Sequence, residues 1–298
     1  MPVGETLLDL ARRDGVRSVF VVGIAKNVGK TVTLRALLEA AYRVGLGVAV
    51  ASTGRDGEQV DVSDAQPKPR LFLRPGTILA TARALLPASP ACEVLDLSRE
   101  QTAAGTLLFV RARRSAYYEL LGPPTASGMR RCIERFQELG AEQVLVDGSV
   151  DRIAAVCGGN DAIIVAAGAA AAPTQEEALA QIGALVARLR TPAYDASAPA
   201  LHHAGALTAA GAAVYLQARE RRQIVVRDPT QIALSGKAFC NVAARLDLRC
   251  ERPLRVVAAT VASIGRDRSF EPGAFLRAVA AATGLPTFDI YADASTAA

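Results

Sequence analysis

Apolar residues along this chain alternate between two rhythms: short unbroken runs, and longer stretches with a spacing near 3.6. The runs Ser18 to Gly23, Gln143 to Asp147, Asp161 to Ala167 and Leu254 to Val261 show almost no polar alternation, and Thr287 to Tyr291 reads as a last strand. That pattern predicts strands covered on both faces, as in a parallel sheet. Leu46 to Ala51 and Ile224 to Arg227 read as further strands. Helical spacing predicts helices over residues 5 to 13, Thr31 to Val44, Ser127 to Leu139, Thr174 to Arg190 and Pro272 to Thr283. Strand and helix taking turns imply right-handed β-α-β units, so the expected frame is a three-layer α/β domain with a mostly parallel central sheet.

Residues 58 to 125 break the rhythm. They hold short strand-like pieces at Arg70 to Leu73, Glu93 to Leu97 and Thr106 to Arg113, a short helical pattern at Thr77 to Leu86, and seven prolines, at 67, 69, 75, 87, 90, 123 and 124. The expectation is an inserted β-rich lobe over 58–125 within a main domain made of 1–57 and 126–298. Such an insertion is where a substrate or partner surface can be built.

Composition narrows the classes. With 51% hydrophobic and 21% charged residues the chain has ordinary globular proportions, and no uncharged apolar stretch reaches the roughly 18 to 20 residues that cross a bilayer. No membrane association is expected. The start, Met1-Pro2-Val3-Gly4-Glu5, lacks a basic segment followed by an apolar core, so a cytoplasmic location is expected. The five cysteines, at 92, 132, 157, 240 and 250, form no C-x-x-C pair and suit reduced thiols. The two histidines, His202 and His203, are adjacent; on a helix they would point apart, which speaks against a shared metal.

A net charge of +5 raises the question of nucleic acid, but only four of the 34 basic residues are lysines and the arginines are scattered. The densest group is Arg111, Arg113 and Arg114 beside Tyr117 and Tyr118. It could hold an anion or stack bases. Alternation over Leu107 to Arg113 instead favours a half-buried strand with solvated arginines, and no nucleic-acid partner is expected.

Chemistry concentrates at Gly23-Ile24-Ala25-Lys26-Asn27-Val28-Gly29-Lys30-Thr31, where a buried strand breaks at glycine and a helix begins. Glycines let backbone N–H groups close on phosphate oxygens, and the new helix adds its positive end. The candidate phosphate contacts are Gly23, Lys26, Asn27, Val28, Gly29, Lys30, Thr31 and Val32. Lys30 would reach the terminal phosphates and the Thr31 hydroxyl would hold Mg²⁺. Val144-Leu145-Val146-Asp147 ends a strand in an acid, the pattern of a carboxylate that supports Mg²⁺ at the carboxyl edge of a sheet. After the second strand, Gly54-Arg55-Asp56-Gly57-Glu58 offers Asp56 as a metal ligand or orienting carboxylate, with Glu58 and Asp61 as weaker candidates.

The loop departs from the common G-x-x-x-x-G-K-[ST] spacing by one residue. Its form G-x-x-x-x-x-G-K-T resembles dethiobiotin synthetase and its relatives in the SIMIBI branch of P-loop NTPases, which includes the MinD-like ATPases. The MinD-like members place a signature lysine where this chain has Ala25, with Lys26 one position later. A homodimer is compatible with the branch, but a lysine acting across it is not carried over. Taken with Gly122-Pro123-Pro124 and Asp147-Gly148-Ser149-Val150-Asp151-Arg152, these segments resemble the reactivase subunit that accompanies adenosylcobalamin-dependent lysine 5,6-aminomutase. The resemblance spans roughly residues 18 to 260. It implies a Mg·ATP-hydrolysing factor that remodels a cobalamin-dependent aminomutase or its accessory subunit, with residues 58–125 facing the partner. In that reading Lys30 and Asp56 are the catalytic residues, and Thr31, Asp56 and Asp147 serve the metal. ATP is preferred to GTP because no Asn/Thr-Lys-x-Asp tetrapeptide follows Asp147; the base would be read near Asp228-Pro229-Thr230 or Thr260 to Arg266. The other readings are a dethiobiotin synthetase-like ligase or small-molecule kinase, and a nucleotide-sensing scaffold that does not hydrolyse ATP.

Overall fold

A computed structural model of the protein describes residues 2–53, 70–86, 91–102, 104–148 and 160–291. The chain opens with helix α1 (Val3–Arg12), strand β1 (Ser18–Gly23), helix α2 (Lys30–Arg43) and strand β2 (Val48–Ser52). Strands β3 (Leu71–Leu73), β4 (Ile78–Ala82), β5 (Cys92–Thr102), β6 (Gly105–Ala112) and β7 (Ala116–Tyr118) follow, then α3 (Ala126–Glu138) and β8 (Gln143–Asp147). Next come β9 (Asp161–Gly168), α4 (Gln175–Leu189), β10 (Ala200–His202), α5 (Ala209–Gln217), β11 (Gln223–Val226), α6 (Gly236–Ala243) and β12 (Leu248–Cys250). The described chain finishes with β13 (Arg255–Ala262), α7 (Pro272–Thr283) and β14 (Thr287–Asp289).

Nine strands form one sheet in the order β14-β13-β9-β1-β8-β2-β4-β6-β5. The first seven are mutually parallel, and β6 runs against both its neighbours. The fold is therefore α/β with a large, mostly parallel central sheet and helices around it. Strand β1 lies in the middle and all six of its residues are buried. Two apolar layers explain that run. Phe20, Val22, Val144, Val146, Ile163 and Val165 pack with Met129, Ile133 and Phe136 of α3, Ile182 and Leu189 of α4 and Phe275 of α7. On the other face Val19, Val21, Leu145 and Ile164 pack with Leu7 and Leu8 of α1 and Leu34, Leu37 and Leu38 of α2. Each fully buried valine or leucine contributes about 1.5 to 3 kcal/mol of hydrophobic stabilisation.

Of the segment expected to form an inserted lobe, strands β4, β6 and β5 instead extend the central sheet, while β3 and β7 pair with each other as a separate antiparallel ribbon. Ile78 and Leu79 of β4 pair in parallel with Ala49 and Val50 of β2, and β6 and β5 continue as a hairpin. Phe109 of β6 meets Phe136 of α3 edge to face, 5.3 Å between centroids. The helical pattern over Thr77 to Leu86 is corrected to strand β4 and a single 3-10 turn, Arg83–Leu85. Ile78-Leu79-Ala80-Thr81-Ala82 is buried throughout, and in that slot between two strands the alanines' helix preference is overridden. Arg111 and Arg113 lie on or beside β6 and pair with Glu93, as solvated partners of a strand.

Residues 191–252 hold another, smaller sheet, of which the pattern revealed only the middle strand, expected at Ile224 to Arg227 and observed as β11. Strands β10, β11 and β12 are parallel, in that order, and pack with α5 and α6 around their own core of Leu207, Ile224, Val226, Phe239, Val242 and Leu248. The Arg188 side chain at the end of α4 donates to Ile232 O and Leu234 O at 3.4 and 3.1 Å, tying the two sheets' layers together. His202 ends β10 rather than sitting on a helix; its Nδ1 lies 2.9 Å from Glu251, whereas His203 Nδ1 lies 2.9 Å from the Tyr215 hydroxyl. The four described cysteines are free. Among the described residues, no helix is long and apolar enough to cross a membrane.

Candidate functional site

The turn between β1 and α2 stands at the carboxyl edge of the central sheet, the side on which open parallel sheets bind ligands. Gly29 is the residue before α2 and has φ 92° and ψ 6°, a left-handed conformation that a side chain would strain. Asn27 also has positive φ, 57°, which asparagine tolerates better than most residues. No side chain caps the helix start. The first-turn amides of Thr31 and Val32 have no acceptor among the described residues, whereas Thr33 N already donates to Gly29 O at 2.9 Å. Those two donors and the positive end of a 14-residue helix therefore suit an anion.

Lys30 folds back along the turn. Its Nζ donates to Ala25 O at 2.7 Å, and its aliphatic chain runs over Gly23. A Cβ on Gly23 would lie 2.7 Å from Lys30 Cγ and equally close to a Val28 methyl, so the first glycine makes room for the lysine stem. Val28 is buried, while Lys26 and Asn27 are exposed at the tip. The far side of the turn rests on residues distant in sequence. A Cβ on Gly29 would come within 3.1 Å of Ala262 Cβ and 3.6 Å of Ile290 Cγ2, and one on Gly168 within 2.9 Å of Val28 Cα. Thr33 and Thr260, hydroxyls 2.8 Å apart, tie α2 to β13 beneath.

Asp147 arrives from the neighbouring strand. In the parallel register it stands beside Val21 of β1 and Ser52 of β2, at the same edge as the turn. Its backbone oxygen accepts from Thr53 N at 2.8 Å, and Gly148 N donates to Val21 O at 2.8 Å, which fixes the strand end. Burial pushes the Asp147 carboxyl up to about 6, and the nearby Lys30 ammonium acts in the opposite direction. A carboxylate held in so unfavourable a setting is a candidate for a cation that would complete its environment. Asp147, Lys30 and Thr31 thus share one edge of the sheet, with the α2 amides beside them.

Gly122 lies at this edge as well, for Ser52 N donates to Leu121 O at 3.2 Å. The chain then turns through two prolines into α3, whose first turn is capped by Thr125, with Gly128 N donating to Thr125 Oγ1 at 3.0 Å. Ser127, where the sequence pattern starts this helix, is its second residue. Asp56, Glu58, Asp61, Ser149, Asp151 and Arg152 lie outside the described residues. Of the two segments considered for a base, Asp228-Pro229-Thr230 belongs to the small sheet, where Asp228 accepts from Thr230 N at 3.0 Å. Thr260 to Arg266 continues β13 next to the turn.

Sequence reasoning identified the turn, the lysine, the hydroxyl and the strand-end acid. It missed Gly168, Ala262 and Ile290, which support the turn from behind and carry no motif. Among the described residues no cluster of three His, Cys, Asp or Glu side chains could hold a metal unaided. A cation at this edge would thus need oxygens from a bound ligand besides Asp147 and Thr31, as Mg²⁺ commonly takes from phosphates. No protein-family model, curated protein or solved structure matches this chain.

Proposed function

We propose that this chain is a Mg·ATP-binding P-loop ATPase of the SIMIBI type, and that it acts as a reactivating factor for an adenosylcobalamin-dependent aminomutase. The observation that carries the nucleotide part is the turn itself. A left-handed glycine, the Thr31 and Val32 amides without an acceptor among the described residues, and a lysine laid along the loop share a sheet edge with an acid that burial has pushed up to about 6. The partner part is carried by the resemblance of the quoted segments.

ATP would supply the transferable phosphoryl group, and Mg²⁺ would neutralise the charge spread over its oxygens. The chain's own residues would do the positioning. The amides of Thr31 and Val32 would orient phosphate oxygens, and Lys30 would leave the Ala25 carbonyl for them. The Thr31 hydroxyl and Asp147 would serve the metal, with Asp56 orienting water or assisting the metal. Nucleotide state would bias the arrangement of the loops at this edge, and a mutase that prefers one state would be remodelled as the states interchange.

The test is phosphate release from Mg·ATP by the purified protein alone, with small acceptors, and with a cobalamin-dependent aminomutase. Slow basal release stimulated by the mutase alone is the expected result. Release that requires a small acceptor, with a phosphorylated or ligated product, would replace the reactivase by a ligase or kinase. Tight binding without turnover under every condition would leave a nucleotide-sensing scaffold.

A further inference from the structure

The small sheet carries a concave surface far in sequence from the glycine turn. At the ends of α5 and α6, Leu216, Arg219, Glu220, Arg221, Arg245 and Asp247 surround a groove of about 580 Å³, with Leu246 buried in its floor. Both acids on its rim already have arginines of their own: Glu220 pairs with Arg222 at 2.7 Å and Asp247 with Arg249 at 2.7 Å. Arg219, Arg221 and Arg245 have no ion partner among the described residues. Five arginines against two acids leave the patch at +3, in a chain whose whole formal charge is +5.

Part of this charge has a structural use. Arg219 and Arg245 follow the last turns of α5 and α6, where a cation offsets the negative helix end. Arg221 follows neither helix directly and remains as surplus. The adjoining helix α5, Ala209–Gln217, contains no charged residue, and its half-buried Leu216 lines the groove. An uncharged helix beside leucines and unpaired guanidiniums suits a surface that presents both apolar and carboxylate groups. No aromatic ring lines the groove, so nucleic-acid bases would find nothing to stack on.

We infer that this groove docks an acidic, leucine-bearing segment of a protein partner, with carboxylates on Arg219, Arg221 and Arg245 and apolar side chains against Leu216 and Leu246. Arginine suits the task because its planar fork can grip a carboxylate with two parallel hydrogen bonds. The inference does not depend on nucleotide binding, because every residue it uses belongs to the small sheet's surroundings.

The probe is a fluorescent peptide of alternating glutamate and leucine, titrated with the full chain and read by anisotropy at low and at physiological salt. The same peptide with glutamine for glutamate, and a single-stranded oligothymidine, run beside it. The expected result is saturable binding that weakens with salt. It should fall at least tenfold both for the glutamine peptide and for the Arg219→Gln, Arg221→Gln, Arg245→Gln triple variant, while Arg12→Gln on α1 changes nothing. If the triple variant fails to fold, Arg221→Glu alone, away from the last turns of α5 and α6, should give the same loss. Absence of saturable binding, equal binding by the variants, or an arginine-dependent preference for the oligonucleotide would overturn the inference.

Discussion

The central sheet and the small sheet obey the same β-α-β rule yet treat their charged groups in opposite ways. At the carboxyl edge of the large one, Asp147 is raised to about 6 by burial, and two first-turn amides lack acceptors among the described residues. In the small one, Glu220 is held down to about 2 by its hydrogen bonds and charge pairing with Arg222, and the Asp228 carboxylate accepts from the Thr230 backbone and hydroxyl and from Arg227. Parallel architecture alone therefore does not leave polar groups at an edge unsatisfied. What distinguishes the large sheet is polar groups left incompletely satisfied around a glycine turn, where a ligand could complete them.

The largest effect should come from Lys30→Ala. With the ammonium gone, affinity for Mg·ATP should fall by at least about a hundredfold, roughly 3 kcal/mol, in equilibrium binding. Retained affinity would erase the contrast between the two edges. Next, Phe239→Ala removes a buried ring from the small core and should cost about 3 kcal/mol there, visible as an earlier unfolding transition. Mg·ATP affinity at lower temperature should stay within about twofold. Loss of nucleotide binding in step with that transition would show that the two sheets are not separable.

A smaller effect is expected from Asp147→Asn. The folded-state value lies above the usual carboxylate range, so the folded chain binds more protons than the unfolded one between about pH 4 and 6. The stability this group contributes is thus full at low pH and is lost as pH rises through about 6. Asparagine should abolish that decline, raising stability at neutral pH by on the order of 2 kcal/mol, while weakening Mg²⁺-dependent nucleotide binding. Thermal melts from pH 4 to 8, with and without Mg·ATP, measure both. A variant less stable than the parent at pH 7 would show that Asp147 is favourably held after all. The smallest effect belongs to Glu220→Gln, a half-buried acid whose exposed partner is Arg222 and whose replacement amide oxygen can still accept from the Arg221 and Arg222 backbone, for which melts should show no resolvable change.

Much of the large sheet was legible because its strands are long and covered on both sides. Gln143 to Asp147 and the helix Pro272 to Thr283 coincide with the observed elements. That helix is announced by Glu271, which caps Gly273 and Ala274, and by proline at its first position. Thr77 to Leu86 misled because alanine-rich apolar runs of that length suit either a helix or a buried strand, and only the neighbours decide. Of the small sheet only the middle strand was legible, at Ile224 to Arg227; the rest stayed hidden because β10 and β12 have three residues each and α5 is almost uniformly apolar, leaving no period to read. At the site the same division holds. Gly23, Gly29, Lys30, Thr31 and Asp147 are local motifs, whereas the support from Ala262 and Ile290 exists only once distant strands are paired.

The most direct measurement is calorimetric titration of the full chain with ATP, with and without Mg²⁺, beside Lys30→Ala. The geometry at the β1–α2 turn predicts one saturable site, tightened by Mg²⁺ and lost in the variant. Absence of binding in the parent chain, or binding that survives the substitution unchanged, would contradict nucleotide recognition at that turn.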